Sequence, residues 1–121
     1  MDVLIIDDDA SVRAAYARVL AAAGFRVTEA GSAHDALREI HRRDFKAVVC
    51  DFVLPATEGT TLYQTLSEAA PAVARRVIFV TGWTGDPKAS RLLEHSGRPV
   101  LTKPVEAADL VDAVRRAVQG T

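Results

Sequence analysis

Residues 3–9 are Val3-Leu4-Ile5-Ile6-Asp7-Asp8-Asp9, an unbroken apolar run that stops abruptly at three aspartates. Similar short apolar runs occur at residues 25–28, 47–50, 77–80 and 99–101. Runs of this length, rich in β-branched side chains and mostly without alternation, are typical of strands that are covered on both faces. We therefore predict five strands, most of them buried.

The segments between these runs carry apolar residues at helical spacing. The stripes are Val12, Tyr16, Val19, Leu20 and Ala23; Ala33, Ala36, Leu37 and Ile40; Leu62, Leu66 and Ala69; and Ala107, Leu110, Val111, Val114 and Val118. Ser32 is placed to cap the second helix, and Asp86-Pro87 marks the start of a fourth helix. Gly24 and Gly97 are placed to end helices. Strand and helix thus alternate five times, which predicts an α/β fold with a doubly wound parallel sheet and helices on both faces.

The composition is that of a soluble globular protein, with 49% hydrophobic and 26% charged residues in a chain of 121. This length fits one domain, residues 1–121. The net charge of -1 does not indicate a basic surface for binding nucleic acid. No apolar stretch reaches the roughly 18 residues that span a membrane. The single cysteine, Cys50, lies in an apolar run and is expected to be an inert core thiol. We expect a cytoplasmic protein without direct contact to nucleic acid or membrane.

Polar residues follow four of the predicted strands. Asp7 and Asp8 come after the first, Asp51 after the third and Thr81 after the fourth, and Lys103 lies just past the fifth. Each motif by itself could be an ordinary loop, and Asp9 is best explained as a helix cap. In parallel sheets, however, ligands bind beyond the carboxyl ends of the strands, and all four motifs occupy that edge.

Three neighbouring carboxylates repel one another, so a cation or bound protons must relieve them. A hard divalent ion with oxygen ligands meets this need, and magnesium suits a site that also handles phosphate. Asp7, Asp8 and Asp51 are therefore candidate metal ligands.

Four motifs in order then indicate a family. Ile5-Ile6-Asp7-Asp8-Asp9, Asp51-Phe52-Val53-Leu54-Pro55 with Gly59, Val80-Thr81-Gly82, and Lys103-Pro104 resemble the receiver domain of two-component response regulators. The resemblance covers residues 3 to about 118. It implies a flavodoxin-like fold with strand order 2-1-3-4-5.

The resemblance also implies a role for each site residue. Asp51 would accept a phosphoryl group from a phosphohistidine on a sensor histidine kinase or a phosphotransfer protein. Lys103 would pair with the phosphoryl oxygens, and the Thr81 hydroxyl would move to bind one of them. Magnesium would be held by Asp7, Asp8 and Asp51 together with the backbone carbonyl of Val53. Such a chain is a signalling domain and not a general enzyme, because it catalyses only its own phosphorylation and dephosphorylation.

Two further features follow from the resemblance. The proline after the lysine, Pro104, occupies a position that forms a cis peptide in this family. Val100 stands where the family often has an aromatic ring that toggles between exposed and buried positions. Valine is too short for that movement, so signalling is expected to rely on backbone shifts around Thr81 to Trp83 and the fourth helix.

Other interpretations stay open at this level. Asp7-Asp8-Asp9 and Thr81 also resemble motifs of haloacid-dehalogenase-type phosphatases, with Asp7 as nucleophile, but that interpretation leaves Asp51 without a role. A receiver-like interaction module that takes no phosphate is disfavoured by the presence of Asp8, Asp51, Thr81 and Lys103. The parent protein could be a stand-alone regulator, a relay intermediate or a hybrid histidine kinase, and association into homodimers is compatible with the sequence.

Overall fold

A parallel sheet of five strands forms the centre of the protein. The structure, a computed structural model, describes residues 1–52, 59–82 and 87–120. The strands are β1 (Asp2–Ile6), β2 (Arg26–Ala30), β3 (Ala47–Asp51), β4 (Val77–Thr81) and β5 (Val100–Thr102). They lie in the order β2-β1-β3-β4-β5, and every pairing is parallel. The predicted fold class and strand order are confirmed.

Helices cover both faces of this sheet. They are α1 (Ala10–Ala22), α2 (Ala33–Arg42), α3 (Gly59–Ala69), α4 (Pro71–Ala74), α5 (Pro87–Ser96) and α6 (Ala107–Val118). Successive strand residues point to opposite faces, so the two halves of β1 enter two different cores. Val3 and Ile5 pack with residues of α1 and α6, whereas Leu4 and Ile6 pack with residues of α2 and α3. None of the helices in the described residues is long and apolar enough to cross a membrane.

The predicted helix ends that fall within the described residues are observed. Asp9 caps α1, because its carboxylate accepts the N–H groups of Ser11 and Val12 at 2.9 and 3.2 Å. The Ser32 hydroxyl accepts the Asp35 N–H at 3.1 Å and caps α2. Gly24 has a φ of 98°, the left-handed conformation in which glycine ends a helix without steric cost. The predicted cap Asp86 lies outside the described residues.

The structure differs from the sequence pattern in three places. A single turn, α4, begins at Pro71 and is too short to show helical spacing. Strand β2 continues to Ala30, beyond the apolar run, because an edge strand can keep polar side chains such as Glu29 in solvent. Asp51 and Thr81 are the last residues of their strands and do not follow them, so the sheet backbone itself holds both side chains.

The cap of α2 gives a stability prediction. Ser32→Ala removes the acceptor for the Asp35 N–H and should lower the free energy of unfolding by about 1 kcal/mol. The matched control is Ser11→Ala, which removes an exposed hydroxyl from the first turn of α1 and should leave the stability nearly unchanged. Urea denaturation of the three proteins measures the difference. Equal losses in both variants would contradict the capping role.

Candidate functional site

Three carboxylates meet at the carboxyl edge of the sheet. Ile6 of β1 pairs with Cys50 of β3, so the next residues, Asp7 and Asp51, lie side by side. Asp8 joins them, and one carboxylate oxygen from each of the three lies within 4.8 Å of the others. Asp7 and Asp51 are 1% and 7% exposed, whereas Asp8 is exposed to solvent. The candidate metal ligands predicted from the sequence are therefore brought together.

Lys103 enters the same cluster from the end of β5. Its Nζ lies 3.3 Å from Asp51 Oδ2, to which it donates a hydrogen bond, and 3.9 Å from Asp7 Oδ2. Its backbone N–H donates to the Thr81 carbonyl at 2.8 Å, which ties the lysine loop to the end of β4. The peptide bond between Lys103 and Pro104 is cis, as predicted.

The two carboxylate oxygens of Asp7 have different surroundings. Its Oδ1 accepts the Asp9 N–H at 2.9 Å. Its Oδ2 is buried and accepts no hydrogen bond within the described residues. Burial raises the pKa of Asp7, and the negative charges of Asp51 and Asp8 add to that rise, while the Asp9 N–H and Lys103 oppose it. Ionised Asp7 is thus an unfavourable species in this site unless a cation approaches it.

The pKa of Lys103 also rises. Partial burial by itself would lower it, but the charges of Asp51 and Asp7 outweigh that effect. Lys103 therefore stays an ammonium group next to Asp51 at neutral pH. The Thr81 side chain is buried at the same edge, where its hydroxyl donates to the Gly82 carbonyl at 3.0 Å.

The donor set fits magnesium. Three carboxylates offer hard oxygen ligands, and the buried Asp7 Oδ2 is an acceptor that the described residues leave without a hydrogen bond. The neighbouring Cys50 cannot compete as a soft ligand, because burial raises the pKa of its thiol far above the ordinary value. The predicted fourth ligand, the carbonyl of Val53, lies outside the described residues.

Two residues near the site were missed from the sequence. The Arg13 Nη1 donates to the Asp7 carbonyl at 2.7 Å, and its Nε donates to Glu29 Oε1 at 3.1 Å. Tyr16 lines an apolar cavity beside Lys103, and burial raises the pKa of its phenol. The one sequence signal for both is position: they lie on the first turns of the helix that follows the acidic loop, where side chains lean back toward that loop.

Comparison with known proteins defines the family. The family model of the response regulator receiver domain matches residues 3–115. The chain is 31% identical over 115 residues to the C4-dicarboxylate transport transcriptional regulatory protein DctD of Rhizobium meliloti (strain 1021), a match that covers 95% of this chain and 25% of that protein. It is 30% identical over 119 residues to the sensor kinase CckA of Brucella abortus (strain 2308), covering 97% of this chain and 12% of the kinase.

A solved structure agrees with these matches. The response regulator receiver domain protein from Clostridium thermocellum superposes with a TM-score of 0.87 at 28% identity, over 98% of this chain and 94% of that one. The chain therefore belongs to the response regulator receiver domain family of two-component signalling. Both the family match and the strand order favour this assignment over a haloacid-dehalogenase-type phosphatase. A receiver-like interaction module that takes no phosphate would share this fold, and it is disfavoured by the acidic cluster with Lys103 beside it.

The raised pKa of Asp7 predicts a pH-dependent stability. The folded protein holds the Asp7 proton more tightly than the unfolded chain, in which the pKa of this carboxyl is close to 3.8. The stabilisation that the protonated Asp7 carboxyl provides is complete below pH 3.8 and is lost as the pH rises through the raised pKa. In EDTA, Asp7→Asn should therefore be more stable than the native protein at pH 7, and its advantage should shrink as the pH falls through the raised pKa of Asp7 and be smallest below 3.8.

Urea denaturation across this pH range measures the effect. Asp8→Asn is the matched control, because it removes a charge of the same cluster from an exposed position and should gain less. If the native protein and Asp7→Asn were equally stable at pH 7, the destabilising role of ionised Asp7 would be disproved.

Proposed function

We propose that this receiver domain accepts a phosphoryl group on Asp51 from a phosphohistidine of a sensor histidine kinase or a phosphotransfer protein. The observation that carries the proposal is the contact between the Lys103 ammonium and the buried Asp51 carboxylate at 3.3 Å, inside a cluster of two further acids. Relatives that include a transcriptional regulatory protein and a sensor kinase support such a partner.

In this reaction an Asp51 oxygen attacks the phosphorus in line with the leaving imidazole. The bond from phosphorus to the imidazole nitrogen breaks, and the nitrogen keeps the electron pair and takes up a proton. Phosphoryl transfer of this kind depends on positioning and on charge stabilisation. Strand β3 supplies the positioning because Asp51 is its last residue, and the Lys103 ammonium beside Asp51 would supply positive charge to the phosphoryl oxygens.

Asp7, Asp8 and Asp51 would hold magnesium, with the Val53 carbonyl as a further ligand by resemblance. The ion supplies positive charge that offsets both the carboxylates and the incoming phosphoryl oxygens. Asp7 contributes a buried oxygen that accepts no hydrogen bond within the described residues, and Asp8 contributes an exposed carboxylate at the mouth of the site.

Phosphorylation would act through the ends of β4 and β5. The new group adds nearly two negative charges. The Thr81 hydroxyl would leave the Gly82 carbonyl and donate to a phosphoryl oxygen, and Lys103 would follow. The hydrogen bond from Lys103 N–H to the Thr81 carbonyl couples both movements. Because Val100 lacks a ring, this backbone coupling is the proposed route of the signal.

Direct phosphorylation tests the proposal. Incubation with magnesium and acetyl phosphate should add the mass of one phosphoryl group to the native protein, as measured by intact mass spectrometry. Asp51→Asn should add none, and Asp44→Asn, an exposed acid at the opposite end of the sheet, should behave like the native protein. Modification of Asp51→Asn to the native extent would rule out Asp51 as the acceptor, and modification lost in Asp7→Asn alone would favour the phosphatase chemistry.

The partner would dock over the cavity beside Lys103. This cavity, of about 500 Å³, is lined by Val12, Ala15, Tyr16, Lys103, Pro104 and Val105. It is mainly apolar and shares Lys103 with the phosphorylation site, so a helix seated there would hold its histidine near Asp51. Apolar helix faces bind in grooves of this kind. We propose the phosphohistidine-bearing helix of the donor protein as its occupant.

Tyr16→Glu tests docking of the donor protein separately from the phosphorylation reaction itself. The variant places a charge in the apolar cavity and should slow transfer from a phosphorylated histidine kinase at least tenfold, because interface anchors of this type contribute more than about 1.4 kcal/mol. Because Lys103 lines the same cavity, the reaction of the variant with acetyl phosphate is measured alongside, and transfer from the kinase should slow at least tenfold more than that reaction. The kinases for the assay are those of the source organism that label the native protein fastest. Equal transfer to the native protein and to Tyr16→Glu would refute this docking site.

A further inference from the structure

Arg13 reaches from α1 to the loop that carries the acidic cluster. It lies one turn after the cap Asp9, to whose carbonyl its own N–H donates at 2.9 Å. Side chains on a helix lean toward its N-terminus, so the guanidinium runs back over the first turn. There Nη1 donates to the Asp7 carbonyl at 2.7 Å, and Nε donates to Glu29 Oε1 at the end of β2 at 3.1 Å. The side chain is 20% exposed, so these contacts are largely shielded from water.

Arg13 completes the set of contacts that fix Asp7. The Asp7 N–H donates to the Ala30 carbonyl at 3.1 Å, and Oδ1 accepts the Asp9 N–H. With the carbonyl held by Arg13, Oδ2 is the one polar atom of Asp7 without a hydrogen bond within the described residues, and it belongs to the acidic cluster. The same carbonyl belongs to the peptide that joins Asp7 to Asp8, so Arg13 holds the backbone between the two acids.

The surroundings of Arg13 are matched to this contact. Glu29 pairs with the guanidinium, so the positive charge of Arg13 is compensated before it can repel a cation in the cluster. Gly31 leaves room for it, because a Cβ at that position would lie 3.2 Å from Nη1. A side chain there would force the guanidinium to shift by a few tenths of an ångström relative to the Asp7 carbonyl.

We propose that Arg13 is a positioning residue for the magnesium site, acting through the Asp7 carbonyl and held in place by Glu29 and Gly31. The inference rests on the proposed binding of magnesium by Asp7 and Asp8. Removal of a residue that contacts a metal ligand, and not the metal itself, usually weakens metal affinity by about 10- to 100-fold.

The direction in which the magnesium affinity changes distinguishes a positioning role of Arg13 from a purely electrostatic one. If Arg13 acted by its charge alone, Arg13→Met would bind magnesium more tightly, because a cation near the site would be lost. Positioning predicts the opposite, about tenfold weaker binding. Arg13→Lys keeps the charge, but one ammonium cannot replace the planar fork that contacts both Asp7 and Glu29. Its affinity should lie between those of the native protein and Arg13→Met.

The dissociation constant for magnesium is measured by competition with Mn²⁺, whose free ion is counted by electron paramagnetic resonance. Arg18→Met is the matched control, because it removes an exposed arginine from the same helix and should bind as the native protein does. Gly31→Ala leaves all charges in place and should weaken binding in the same direction as Arg13→Lys. Thermal melts in EDTA identify any variant that does not fold. If Arg13→Met does not fold, the magnesium affinities of Arg13→Lys and Gly31→Ala are compared with that of the native protein instead.

Each outcome has one meaning. Weaker binding in the order native, Arg13→Lys, Arg13→Met supports the inference. Unchanged or tighter binding in the folded variants, with normal binding by the native protein, overturns the role of Arg13 and leaves the proposed function intact. A native protein that binds no divalent ion overturns both.

Discussion

Asp7 and Asp51 hold two carboxylates side by side at the edge of a sheet that removes both from water. Two like charges about 4 Å apart repel by about 4 kcal/mol at the effective dielectric of a protein surface, a large part of the usual 5–15 kcal/mol that keeps a domain folded. Lys103 compensates one of the two charges, and Asp8 adds a third. Among the described residues, the site is therefore short of positive charge, and we derive the properties of the site from that shortage.

The rest of the fold makes this arrangement tolerable. Strands β3 and β4 are buried along their whole length between two apolar cores, so the backbone that holds Asp51 and Thr81 cannot easily relax away from the repulsion. Around this rigid centre, polar contacts hold the loops: the Asp9 cap fixes the start of α1, and the Lys103 N–H holds the lysine loop to the end of β4. A phosphoryl group added at Asp51 would then draw toward itself the groups that can move, the Thr81 hydroxyl and the Lys103 ammonium.

The sequence was informative where local pattern and three-dimensional position coincide. A strand's carboxyl end is visible where an apolar run meets a polar residue, so the sequence alone places Asp7, Asp51 and Lys103 at one edge of the sheet. Strand order came from the family resemblance, because run spacing does not distinguish one order of parallel strands from another. Arg13 escaped prediction because its partner is a backbone carbonyl, which every residue has and no sequence displays. The single turn α4 escaped because four residues are too few to show a helical period.

The most direct test of this account is the free energy of unfolding with and without magnesium. If the acidic cluster is short of positive charge, magnesium at a hundred times its dissociation constant should stabilise the native protein by about 2.7 kcal/mol over EDTA. Asp51→Asn, which lacks one of the three carboxylates, should gain clearly less. A native protein equally stable in magnesium and in EDTA would contradict the account, because the carboxylates would then be relieved by some means other than a bound cation.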